Sequence, residues 1–145
     1  MLVQTPTYKY LAFAGTLPFI VSTVIILSPP ADTEWITWSN LALHSYGLVI
    51  VTFMCGIHWG LYLTNHQQCH INLLIISNTI TLICWFAYLS QHATLILASQ
   101  LCAFLILVTL DAYLHKRDIL HRDYYETRRS VTAVVSLILS INLLT

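Results

Sequence analysis

Five apolar runs, each near the length that crosses a bilayer and joined by short polar connectors, constrain this chain more than anything else in it. A spanning helix needs about 20 consecutive, mostly apolar residues. The runs cover residues 10–27, 39–63, 71–89, 94–114 and 125–144. Of 145 residues only 8% are charged and 57% are hydrophobic, whereas a soluble domain carries about 25% charge. With a mean hydropathy of +0.73, little sequence is left over for a soluble domain. The expectation is a single all-α transmembrane domain over residues 1–145, a polytopic bundle of five helices. The first run is too long for a signal-peptide core and lacks a small-x-small cleavage site, so it reads as an uncleaved span.

Lysine and arginine set the orientation. Five of the six lie between Lys116 and Arg129, which puts the connector after the fourth span in the cytoplasm or matrix. Counting back places the N-terminus inside, in keeping with Lys9, and the C-terminus outside. The acidic loop with Asp32 and Glu34 then lies outside, next to Trp35 and Trp38 as interface anchors. A formal net charge of zero gives no reason to expect nucleic acid. The expected surroundings are the lipid bilayer and, with it, other membrane subunits or further copies of the chain.

Local signals refine the spans. Gly15 and Pro18 interrupt the first and predict a kink, because proline frees a backbone carbonyl that must find another partner. Pro29 and Pro30 end it. The second span is longer than a crossing needs, so it tilts or protrudes. The turn S-Q-H-A makes spans three and four an antiparallel hairpin. In span four, Gln100 and Asp111 share a face, since eleven residues return to within about 20°. The fifth span begins inside the basic connector near Tyr124, with Arg128 and Arg129 snorkelling. Cys55, Cys69, Cys84 and Cys102 show no disulfide-like spacing and read as reduced packing residues.

The richest stretch is Thr52–Gly60, T-F-M-C-G-I-H-W-G. Gly56 and Gly60 form a G-x-x-x-G pair, which allows a close helix approach. His58 points to nearly the opposite face, since two residues turn a helix by about 200°. The topology then brings polar residues of four spans to one depth near the cytoplasmic side. His58, Trp59, Asp111, Arg128 and Arg129 are the candidate binding residues there, with Tyr46 further out. Asp111 is expected to pair with Arg128 or Arg129, because intramembrane charges are rarely left alone. Such a pair either staples two helices or belongs to a ligand or proton site. Gly15, Pro18, Gly56, Gly60, Thr132 and Ser136 are the candidate packing positions; Thr132, Ser136 and Ser140 continue from Arg128 as a seam of small residues at intervals of four.

Other chemistries find less support. His44 and His58 lie on one helix face, about 21 Å apart, but no other span offers a matching histidine pair for haem. His66, Cys69 and His70 form H-x-x-C-H in a polar connector, which reads as a solvated loop rather than a metal site. No cofactor or metal is expected. No nucleophile, Walker or zincin motif points to an enzyme, and no inverted repeat points to a stand-alone transporter.

The same stretches carry a resemblance. L-A-F-A-G-T-L-P-F-I (Leu11–Ile20), Tyr46–Gly60 and D-Y-Y-E-T-R-R-S-V-T (Asp123–Thr132) resemble an uncharacterised, mostly bacterial membrane family, domain of unknown function number 3429. It has a mitochondrial inner-membrane relative, transmembrane protein sixty-nine. The family's recurrent positions map to Gly15, Pro18, Phe19, Tyr46, Gly56, His58, Trp59, Gly60, Asp111, Tyr125, Arg128 and Thr132. Where the family often has two glycines, this chain has Cys55-Gly56, which relaxes the packing point. The resemblance implies a polytopic bundle in an energy-transducing membrane and supplies no established activity.

Two functions are therefore expected. One is an accessory or assembly component of a larger inner-membrane complex. The other is a binder or carrier of a quinone, an anionic lipid or a proton, in a polar pocket at the cytoplasmic side. The N-terminal lead lacks the arginine-rich pattern of a transit peptide, so the expected location is a bacterial plasma membrane, with the mitochondrial inner membrane as the alternative.

Overall fold

The computed structural model describes residues 7–28 and 33–145. Pro29, Pro30 and Asp32, expected in the first loop, lie outside the described residues, as does the polar lead before Thr7. All regular structure among the described residues is helical: α1 (Thr7–Ala14), α2 (Leu17–Leu27), α3 (Glu34–Asn65), α4 (Leu73–Leu89), α5 (Ala93–Lys116) and α6 (Arg122–Leu144).

α1 and α2 together make one apolar stretch, Thr7–Leu27, broken at Gly15 and Thr16. Pro18 falls in the first turn of α2, where its missing N–H has no intrahelical partner to lose. The chain is held at the break by Thr16 Oγ1 donating to the Phe13 carbonyl at 2.7 Å. The Tyr46 hydroxyl donates to the Gly15 carbonyl at 3.1 Å. A backbone acceptor exposed by the kink is thus satisfied from α3, as a low-dielectric interior requires.

Thr7–Leu27, α3, α5 and α6 are each long and apolar enough to cross a membrane. α4 has 17 residues. At ~1.5 Å per residue it is ~26 Å long, a little under the ~30 Å of hydrocarbon it would cross. α3 has 32 residues, hence ~48 Å, and overshoots any bilayer core. Trp35 and Trp38, 58% and 65% exposed, stand at its start. α6 starts at Arg122, two residues before the expected Tyr124. The imidazole of His121 caps it, accepting from the Asp123 N–H at 3.4 Å.

α5 is the central helix and packs on α3, α4 and α6. Its buried positions, among them Gln100, Ala103, Phe104, Leu107, Asp111 and Leu114, recur at helical spacing along one broad face. Gln100 and Asp111 do share it. α3 answers with Ser39, Leu43, Gly47, Val51, Cys55 and His58, a stripe at intervals of four and three. Gly47 on this stripe is the close-contact glycine of the bundle. The Gln100 carboxamide occupies the space where its Cβ would be and donates to the His44 carbonyl at 2.7 Å. Gly56 and Gly60 lie off the stripe. Both are exposed, and a Cβ at either would meet no described atom within 4 Å.

The connectors before α4 and after α5 lie at the same end. The Arg117 guanidinium donates to His70 Nδ1 at 2.8 Å, and the Tyr113 hydroxyl accepts from the His70 N–H at 3.2 Å. His66 is exposed and Cys69 buried. At this same end Tyr8 of α1 packs on Tyr124 of α6, with ring centroids 6.0 Å apart. Toward the other end Asn142 Nδ2 donates to Thr23 Oγ1 at 2.8 Å and ties α6 to α2.

Candidate functional site

Three helices each contribute one residue to a buried polar cluster. α3 supplies His58 because its packing stripe, followed from Gly47, arrives there eleven residues later. α5 supplies Asp111 by the same count from Gln100. α6 supplies Arg128 one and a half turns into the helix. His58 and Asp111 are 0% and 1% exposed.

Asp111 joins the other two. One carboxylate oxygen, Oδ1, accepts from His58 Nε2 at 2.9 Å. The other, Oδ2, accepts from Arg128 Nε at 2.6 Å. A carboxylate only accepts, so His58 Nε2 carries the proton of this bond. His58 Nδ1 is buried and has no partner among the described residues. Arg128 continues outward: its Nη1 donates to the Met54 thioether, and its guanidinium carbon lies 5.8 Å from the centre of the Tyr124 ring. Asp111 and Arg128 thus satisfy each other's charge directly, which is how a membrane interior tolerates ionised groups.

On the far side of Arg128 is a chamber of about 440 Å³. α3 and α6 diverge around it, α1 covers it, and α5 forms its floor with Phe104 and Leu107. Tyr46, Ile50, Phe53, Met54 and Ile57 line it from α3, and Tyr124, Thr127, Arg128, Val131, Thr132 and Val135 from α6. Each series spans eleven residues, so the chamber is ~16 Å long. Arg128 sits toward one end, with Tyr8, Tyr124 and Thr127. Gly15 and the Tyr46 hydroxyl border it farther along, beside the α1–α2 break.

The candidate residues therefore divide. His58, Asp111 and Arg128 come together, and only Arg128 of the three reaches the chamber. Tyr46 lines the chamber away from the cluster and fastens Gly15. Arg129 is exposed, its guanidinium 6.0 Å from the Tyr125 ring centre, so Arg128 alone pairs with Asp111. Trp59 follows His58 by 100° of helix turn and stands 39% exposed on the outside. Thr132 lines the chamber, and Ser136 Oγ is buried without a partner among the described residues. Met54 and Gly47 escaped the sequence reading, because neither carries a polar signal. Gln100 was placed on the face of Asp111 and Tyr124 at the start of the last span, but their partners, the His44 carbonyl and Arg128, were not foreseen.

Among the described residues no group of three histidine, cysteine, aspartate or glutamate side chains is placed to hold a metal ion. A family model described as a protein of unknown function, DUF3429, matches residues 4–144. No curated protein and no solved structure matches the chain.

Proposed function

We propose, for a chain that belongs to the DUF3429 family of proteins of unknown function, that this membrane protein binds a small amphiphile in the chamber between α1, α3 and α6. Arg128 holds its polar end. The observation that carries this reading is the double position of Arg128, pinned by Asp111 behind and facing a mostly apolar chamber of about 440 Å³ in front. A staple between α5 and α6 needs no such space. Packed protein interiors hold few voids larger than a water molecule, and small-molecule sites run to ~300–1,000 Å³ with a few convergent polar groups. The basic connector favours the end with Arg128 as the cytoplasmic one, in a bacterial plasma membrane or its mitochondrial counterpart.

The test is gentle extraction into lipid nanodiscs, followed by mass spectrometry of everything retained. A stoichiometric small amphiphile is expected. Val131→Phe, which fills the chamber without touching Asp111, should release it from protein that is still folded. Folded wild-type protein that retains no small molecule would overturn the reading.

A second reading, an accessory subunit of a membrane complex, draws support from Gly56 and Gly60. They present a strip on the outside of α3 with none of the described residues against it. A stoichiometric protein partner lost on Gly56→Leu, with the small molecule absent, would favour that reading.

A further inference from the structure

The charge state of the cluster bears on the kind of head group the chamber takes, an argument that rests on the binding function proposed above. Arg128 contributes one positive charge and Asp111 one negative. His58 donates through Nε2 to Asp111, while Nδ1 is buried without a partner among the described residues. The Arg128–Asp111 pair then sets one cation directly against one carboxylate. Arg128 offers the chamber N–H polarity without an uncompensated cation.

An anionic head entering this space would leave water for a mostly apolar chamber, where the one cation among the described lining residues is already committed to a carboxylate at 2.6 Å. Burying an ion without a free counter-charge costs several kcal/mol. A neutral carbonyl oxygen accepts from the guanidinium without that cost. The walls add a shape preference. Tyr8, Phe19, Tyr46, Phe53, Phe104 and Tyr124 all face the chamber, and aromatic rings favour a flat ring among them through offset or edge contacts. The ~16 Å length exceeds any single ring and leaves room for an apolar tail. One wall reaches the outer surface at Phe53, 61% exposed, so an occupant can pass between chamber and bilayer without crossing water.

We infer that the occupant is a neutral amphiphile of the quinone type, a flat ring bearing carbonyl oxygens that accept from Arg128, with an apolar tail along α3 and α6. The experiment compares two probes with the same ten-carbon tail, decylubiquinone and decyl phosphate, by equilibrium binding to the full chain in nanodiscs of neutral lipid. Decylubiquinone is expected to bind about tenfold tighter or more, a difference of about 1.4 kcal/mol, with little dependence on salt. Val131→Phe and Ile50→Phe should abolish binding of both. Asp111→Asn leaves Arg128 uncompensated and should move the preference toward decyl phosphate by a similar factor; if that variant does not fold, the wild-type comparison decides alone. Equal or tighter binding of decyl phosphate to wild type overturns this inference and leaves the chamber as a binding site. Binding of neither probe, together with no retained native molecule, overturns both.

Discussion

Asp111 is the residue on which the polar interior depends, because it accepts from two helices at once. Removing one partner of a buried ion pair leaves the other charge stranded, at a cost of roughly 3–5 kcal/mol. Arg128→Met should therefore destabilise the protein by about that much in detergent unfolding. The double variant Asp111→Asn with Arg128→Met should lose clearly less than the sum of the two singles, by about 0.5–3 kcal/mol of coupling. Strict additivity would mean that the two side chains do not interact. Gly47 makes the opposite point, because nothing polar marks it. Gly47→Ala places a methyl group in the Gln100 carboxamide and displaces the bond to the His44 carbonyl. The expected loss is about 1–3 kcal/mol, read as a lower unfolding midpoint. Gly56→Ala meets open space and should be neutral or slightly stabilising, since glycine within a helix costs about 0.5–1 kcal/mol relative to alanine.

At the scale of the helix, the α1–α2 break and α3 depend on each other. The break gives the chamber its cover, and Tyr46 fastens it through the Gly15 carbonyl. Tyr46→Phe keeps the ring and its edge contact with Phe19, 5.2 Å between centroids, but removes the donor. A loss of about 0.5–1.5 kcal/mol is expected, together with faster amide hydrogen exchange around residues 15–19 and unchanged exchange in α5. Equal exchange across both helices would show that the hydroxyl does not hold the break. Sequence reading located this kink, because Gly15 and Pro18 act on their own backbone. It did not locate the partner, which lies 31 residues away on a helix whose facing direction had to be known first.

At the scale of the molecule, one end collects the start of α1, the connector before α4 and the basic connector after α5. Cys69 sits buried in the first of these connectors, where burial pushes its thiol above the usual range and the nearby Arg117 charge pulls it back only in part. Alkylation of Cys69 by a membrane-impermeant maleimide should be slow at neutral pH and go on accelerating with pH beyond the point at which an unfolded cysteine levels off. In oriented vesicles it should occur from the same side that exposes the Lys116–Arg122 segment to protease. Labelling from opposite sides would break the arrangement of connectors.

By itself the sequence determined the solvent, the class of fold and the approximate ends of the helices, because hydropathy over a bilayer's length and proline punctuation are local properties. It also narrowed the intramembrane polar residues to a few that had to find partners, and His58, Asp111 and Arg128 were among them. Only the tertiary structure decided which arginine Asp111 takes, that Trp59 and Arg129 stand outside, that Gly47 rather than Gly56 marks the closest approach, and that a chamber opens beside Arg128. Those outcomes depend on the rotation of each helix about its own axis. One residue's step along the chain turns a side chain by about 100°, so packing against α5, not spacing along α3 or α6, sets which groups meet.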